Sequence, residues 1–171
     1  MIAYLALILA TGIERIVELA ISTRNARTAL ARGGREFGLG HFPWMVALHT
    51  GLLAASFLEA WLLERPFIPW LGWPMLALVV LSQALRYWCI ASLGRQWNTR
   101  VIVVPGAGLV TRGPYRWLRH PNYLAVVIEG FALPLVFTSW VTALAFTVLN
   151  AVLLLRFRIP VEERALAALS R

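Results

Sequence analysis

The sequence predicts an all-α integral membrane protein of about five transmembrane helices. Its polar site is expected on the cytoplasmic side, formed by the loop before helix four and by a C-terminal helix. Three observations predict this. Of the 171 residues, 60% are hydrophobic and only 14% are charged, whereas soluble domains carry about 25% charged residues. Several apolar runs approach the roughly 20 residues that a helix needs to cross a bilayer. The basic residues are sixteen arginines; the three segments expected in the cytoplasm hold thirteen, the outer turn holds Arg65, and Arg15 and Arg86 fall inside helices. That asymmetry puts the N-terminus outside and the C-terminus in the cytoplasm of a multi-pass cell-membrane protein.

Residues 1–171 read as one membrane domain, with three spans over 1–93 and a site-bearing region over 94–171. The net charge of +8 is explained by Arg gathering at the membrane surface, so no nucleic-acid partner is expected. Residues 1–10 lack a positive n-region and are expected to be a retained first helix rather than a signal peptide. Cys89 is the single cysteine, which leaves no intrachain disulfide and no cysteine metal cluster; no metal site is expected.

Helix one is expected over 2–22. Its second half carries Glu14, Arg15 and Glu18, with Arg15 able to reach Glu18 at i+3. Ionisable groups at that depth face the bundle or a wet cavity, so they read either as an ion pair that fixes packing or as a polar lining. Residues 23–42 are expected to be a cytoplasmic loop with four Arg and a run of glycines, a topology and headgroup signal. Helix two is expected over 43–63 and contains His49, which reads as a packing residue or a base.

An outer turn follows over 64–73, with two prolines and two interfacial tryptophans. Helix three is expected over 74–93. Residues 94–119 return to the cytoplasm with five Arg, and 101–104 read as an extended segment before the turn 105–108. Helices four and five are expected over 122–137 and 141–157, joined at 138–140. Pro160 suits the first turn of a further helix, and Glu162 and Glu163 then sit near its positive end.

Chemistry concentrates in residues 113–123, Gly-Pro-Tyr-Arg-Trp-Leu-Arg-His-Pro-Asn-Tyr. Pro114 and Pro121 each disfavour helix in the residue before them, so the stretch reads as a rigid connector rich in cationic and aromatic groups. Gly113-Pro114-Tyr115, then Arg119-His120-Pro121-Asn122-Tyr123, then a helical hairpin and Glu162-Glu163 resemble the isoprenylcysteine carboxyl methyltransferase family over about residues 97–166. The related phospholipid N-methyltransferases share the general plan. Glu14-Arg15, residues 22–25 and the Gly-rich loop also resemble a bacterial subgroup found with type III polyketide synthases, whose members methylate alkylpyrones or alkylresorcinols.

The resemblance implies S-adenosyl-L-methionine as cofactor, bound on the cytoplasmic side. The chemistry suits the residues. A carboxylate is held by guanidinium, imidazole or backbone N–H groups, which Arg119, His120 and the helix start at Pro121 and Asn122 offer. An ammonium is held by a carboxylate, which the family pattern puts at Glu162. A sulfonium is drawn to an aromatic face, here Tyr115 or Tyr123, although both could equally be interfacial anchors. The resemblance implies that Ala107, Gly108, Leu109 and Val110 line the adenosine; many members carry His where this chain has Ala107. It also implies that Asn98 and Arg158 lie near the acceptor.

Glu129 sits seven residues beyond Asn122, about 10 Å deeper on the same face of helix four. It reads as a base with a raised pKa or as a bridge to Arg15 or Arg86; His49 and His120 are further base candidates. The expected acceptor is therefore a hydroxyl on an amphipathic ring with its tail in the bilayer, and a polyketide synthase is the expected pathway partner. Carboxyl methylation of prenylated cysteine, N-methylation of a phospholipid amine, and a non-enzymatic membrane scaffold or lipid-binding role are the competing expectations.

Overall fold

A computed structural model describes residues 1–167. Its elements are α1 (Ile2–Ala31), β1 (Arg35–Phe37), α2 (Phe42–Leu62), α3 (Pro69–Leu93), β2 (Val101–Val103), α4 (Pro121–Leu135), α5 (Trp140–Leu153) and α6 (Ile159–Ala167). A π-turn, Leu154–Arg158, joins α5 to α6. Three helices are long and apolar enough to cross a membrane, Phe42–Leu62, Pro69–Gln96 and Trp140–Ala167, and Pro121–Leu135 is a shorter apolar helix. With α1, which carries Glu14, Arg15 and Glu18 in its middle and Arg24 and Arg27 toward its end, this is the expected helical membrane bundle.

The boundaries differ from expectation in three places. α1 continues to Ala31 rather than stopping at residue 22, because nothing before Gly33-Gly34 breaks it. Buried Ser22 and Asn25 hold its extension against the chain that follows α3. Asn25 donates to the carbonyls of Gly94 (3.1 Å) and Trp97 (2.8 Å). Ser22 Oγ donates to Asn98 Oδ1 at 2.7 Å and accepts from the Thr99 N–H at 2.9 Å.

α3 begins at Pro69 rather than 74; Pro69 occupies the first helical position, where its missing N–H is harmless. The expected break before Pro160 is replaced by a continuous helical rod. Proline removes an N–H and crowds the carbonyl four residues back, and the wider turn over Leu154–Arg158 accommodates both effects.

Residues 101–103 are extended as expected, and they find a partner in the Gly-rich loop. β1 and β2 pair antiparallel, with Arg35 opposite Val103 and Phe37 opposite Val101. This ribbon packs against α6. The opposite end of the bundle is closed by Glu59, which accepts the N–H groups of Val141 (3.3 Å) and Thr142 (2.7 Å) at the start of α5 and pairs with Arg65 at 3.1 Å.

The apolar core is built from Tyr4, Ile8, Ala60, Val79, Leu133 and Val136, and the Tyr4 hydroxyl donates to the Leu133 carbonyl at 3.1 Å. Exposed tryptophans form two girdles. Trp61, Trp70, Trp73 and Trp140 ring one end, and Trp44, Trp88 and Trp117 ring the other. Along α2, Trp44 and Trp61 lie about 25 Å apart at 1.5 Å per residue, close to the thickness of a bilayer core.

Candidate active site

α4 starts beside α6, and the two starts carry the polar groups. His120 is the residue before α4, and no side chain caps the first turn of that helix. The Tyr123 hydroxyl donates to Glu162 Oε2 and accepts from Arg158 Nε at 3.0 Å. The His120 ring stacks on Tyr123 with centroids 5.2 Å apart and planes 18° apart. His120 Nδ1 lies 3.7 Å from Glu162 Oε1, and Nε2 lies 3.8 Å from Glu163 Oε1.

The Glu162 contact holds the His120 imidazolium above its ordinary pKa, against the opposing effect of burial. Asn122 Oδ1 is buried without a hydrogen-bond partner among the described residues. Arg158 is only 5% exposed; the π-turn that accommodates Pro160 brings it inward.

Tyr115 lies in a 3₁₀ turn, Gly113–Arg116, packed against α3. Burial and the neighbouring Cys89 push its phenol far above the ordinary value, so it stays neutral. Gly113 has φ +60°, and a Cβ there would strike the Ser92 side chain. Arg112 Nε donates to the Ser92 carbonyl at 3.0 Å, which secures the same loop.

The structure therefore brings together His120, Pro121, Asn122, Tyr123, Arg158 and Glu162. Arg119 is not among them; it is exposed and forms no ion pair with the described residues. The guanidinium joined to this cluster is that of Arg158, through Tyr123. Ala107, Gly108 and Leu109 are exposed and Val110 is half-buried, on the loop that leaves β2 beside α6. Gln96 Nε2 contacts the Gly108 carbonyl at 3.4 Å. Asn98 Oδ1 accepts from Ser22 Oγ and from the Arg100 N–H, which holds the loop.

Glu129 lies deeper, in a buried ring of charge. It binds Arg86 directly and lies 3.7 Å from Arg15. Arg15 pairs with Glu18 at 2.9 Å and donates to Gln83 at 3.0 Å. This is the bridging alternative for Glu129, with both arginines engaged at once. His49 is half-buried; its Nδ1 lies 2.8 Å from the Met45 carbonyl and its ring packs edge-on against Phe146. Sequence reasoning missed the anchoring roles of Ser22 and Asn25, since a polar residue on an arginine-rich stretch looks the same whether it faces water or a loop.

Fold and site together define a multi-pass helical membrane protein with a mixed cationic, anionic and aromatic cluster at one end of its bundle. The profile of the isoprenylcysteine carboxyl methyltransferase (ICMT) family matches residues 75–168, and the chain belongs to that family. It is 40% identical to Uncharacterized protein YpbQ of Bacillus subtilis over 90% of each chain. It is 27% identical to a Probable protein-S-isoprenylcysteine O-methyltransferase of Oryza sativa subsp. indica, over 92% of this chain and 80% of that one.

The solved eukaryotic intramembrane Ras methyltransferase ICMT shares the fold, with a TM-score of 0.62 at 24% identity over 74% of this chain. This chain spans 46% of that protein's length. Methyltransferases of the family use S-adenosyl-L-methionine as methyl donor. The donor set at the starts of α4 and α6 fits such a group: an uncapped helix start, an unpartnered buried carboxamide oxygen, a carboxylate and a stacked pair of rings.

Proposed function

We propose that this protein transfers a methyl group from S-adenosyl-L-methionine to an oxygen of a lipophilic acceptor drawn from the bilayer, with an alkylpyrone or alkylresorcinol as the favoured acceptor. The observation that carries this reading is the position of Arg158. It is buried against Tyr123 at the end of the π-turn that follows Leu153, and Leu153 lies at the edge of an apolar groove of about 570 Å³ between α2 and α5. A tail in that groove would bring its polar head to the guanidinium.

The bound cofactor supplies an electrophilic methyl on sulfonium. The protein's share is positional. Glu162 and the start of α4 would hold the charged end of the cofactor, Tyr123 and His120 form a stacked wall, and Arg158 would grip the acceptor oxygen as its oxyanion. The enol or phenol proton has by then passed to water, so that the methyl moves to oxygen and the sulfonium leaves as a neutral thioether. Holding reactants in near-attack geometry and excluding water provides much of the rate enhancement in such displacements. The arginine asymmetry supports a cytoplasmic site with the N-terminus outside, and the resemblance of Glu14-Arg15, residues 22–25 and the Gly-rich loop to the polyketide-associated subgroup supports a polyketide synthase as the supplier of the acceptor.

Prenylcysteine carboxyl methylation is the second reading, favoured by the likeness to the rice protein over most of both chains. Radiolabel transfer by the purified protein to alkylresorcinol, alkylpyrone, prenylcysteine and phosphatidylethanolamine, run side by side, decides between them. Labelling of prenylcysteine alone overturns the favoured acceptor. Absence of cofactor binding overturns the enzymatic reading in favour of a membrane scaffold.

A further inference from the structure

Gly51 lies in the middle of α2, where glycine is a poorer helix former than any residue but proline. Small residues in spanning helices ordinarily let a neighbouring backbone approach. Here a Cβ would meet nothing within 4 Å among the described residues, so close packing does not account for the glycine. Ala47 and Ala55, one turn to either side, are exposed as Gly51 is. The space these three leave is the middle of the groove of about 570 Å³ between α2 and α5.

The groove has two walls, a floor and one closed end. Buried Leu52 and Phe146 form the floor, and Ala145 and Leu149 of α5 line it opposite the small residues of α2. At the outer end Glu59, one turn beyond Ala55, accepts from the Thr142 N–H at 2.7 Å and the Thr142 hydroxyl at 2.8 Å and pairs with Arg65 at 3.1 Å. That staple draws the helices together and puts charge where an apolar chain would have to continue. At the other end the lining stops at Leu153, on the same helical rod as Arg158. From Thr142 to Leu153 the length is about 17 Å at 1.5 Å per residue. That is about half of the roughly 30 Å hydrocarbon core, the reach of a tail within one leaflet. For 570 Å³ the mean section is then about 35 Å², whereas a helix about 10 Å across needs about 80 Å². One alkyl chain fits this space and a helix of a second copy does not.

We propose that this groove measures the tail of the acceptor, an inference that rests on the acceptor reading above. A single alkyl chain enters beside Leu153, passes Ala47 and Gly51, and ends at Ala55 against the Glu59 staple. Gly51 is the specificity-determining residue, because its missing side chain keeps the passage open. A tail longer than the groove gains nothing further, since the next groups it meets are a carboxylate and a guanidinium.

The test uses the full-length chain in detergent micelles with no methyl donor present. Ala47→Cys, Gly51→Cys and Ala55→Cys are made singly, with Ala54→Cys as an exposed position off the groove. Native Cys89 is buried and stays unlabelled. Each thiol is labelled with an apolar maleimide in the presence of alkylresorcinols whose tails differ in steps of about 6 Å, the rise of four helical residues. Protection is expected to advance with tail length, at position 47 first, then 51, then 55, each labelled about tenfold more slowly, or about 1.4 kcal/mol. Position 54 should label at one rate throughout. In Gly51→Leu/Ala55→Cys the leucine enters open space and is the better helix former, so the fold is kept, and the longest tail should no longer protect position 55.

Protection of all three positions with no acceptor added overturns the proposal, by showing a resident lipid or a second copy in the groove. Protection that begins at position 55 overturns it by reversing the tail. Protection independent of tail length, or undiminished at position 55 in the double variant, also overturns it. The footprint is read without methyl transfer. Transfer to alkylresorcinol with no advancing footprint therefore sinks this inference alone, whereas an advancing footprint with no transfer to any acceptor sinks the enzymatic reading and leaves the groove assignment standing.

Discussion

Tyr123 joins two oppositely charged side chains through one oxygen: it accepts from Arg158 Nε at 3.0 Å and donates to Glu162. The relationship ties α4 to α6 and sets both the guanidinium and the carboxylate that the proposed reaction employs. Tyr123→Phe should therefore lower methyl transfer at least tenfold while costing only about 1.5–3 kcal/mol of stability, the usual value of a hydrogen bond to a charged group. Turnover and thermal midpoint, measured on the same preparation, check both halves. Full activity in the Phe variant would remove the hydroxyl from the site.

Glu162→Gln should weaken cofactor binding. Its carboxylate is the acidic group nearest His120 and Tyr123, suited to an ammonium. Loss of that charge is expected to raise the dissociation constant of S-adenosyl-L-methionine about tenfold, or about 1.4 kcal/mol. Isothermal calorimetry in detergent is the measurement, and an unchanged constant would assign the ammonium to another group.

The His120–Glu162 contact also predicts a pH dependence. The folded-state pKa of His120 is raised, chiefly by Glu162, so the folded protein holds this proton more tightly than the unfolded chain does. The resulting stabilisation is complete below the unfolded value of about 6.5 and is lost as pH rises through the higher folded value. The thermal midpoint should fall across that window. In His120→Gln this part of the slope should flatten, and an identical slope in the variant would put the titration elsewhere.

Glu129→Gln separates two roles for one residue. In the charge ring it balances Arg86 and Arg15, and removing one partner of a buried ion pair costs about 3–5 kcal/mol. The expected outcome is a large drop in thermal midpoint. A normal midpoint with lost turnover would instead restore Glu129 as the general base.

Much of this arrangement was legible in the sequence, for identifiable reasons. Hydropathy and arginine asymmetry reveal spans because the bilayer demands about 20 apolar residues. The His120–Tyr123 stretch stood out because charged, aromatic and proline residues between apolar helices have few structural uses, whereas Glu162 was named through the family resemblance. Arg119, expected to hold a carboxylate of the cofactor, is exposed, and its sequence neighbourhood could not tell whether it or His120 lies beside Glu162. Arg158 was named through the family resemblance alone; its inward turn depends on a π-turn, whose phase shift no 3.6-residue periodicity reveals. β2 was read as extended, but β1 and its pairing with β2 escaped notice because a three-residue strand leaves no alternation to read. The continuation of α1 to Ala31 rests on Asn25 meeting a loop some seventy residues away in the chain.

The ring formed by Arg15, Glu18, Arg86 and Glu129 has a consequence for biogenesis. Its members arrive on three separate helices, and α1, which carries Glu14, Arg15 and Glu18, leaves the ribosome first. Until α3 and α4 are made, Arg15 is balanced only within α1, by Glu18 and Glu14, leaving one net negative charge that enters lipid unfavourably. The first segment must therefore wait in the insertion machinery, or at the membrane surface, for most of the chain to be synthesised, so that integration completes late and in one concerted step.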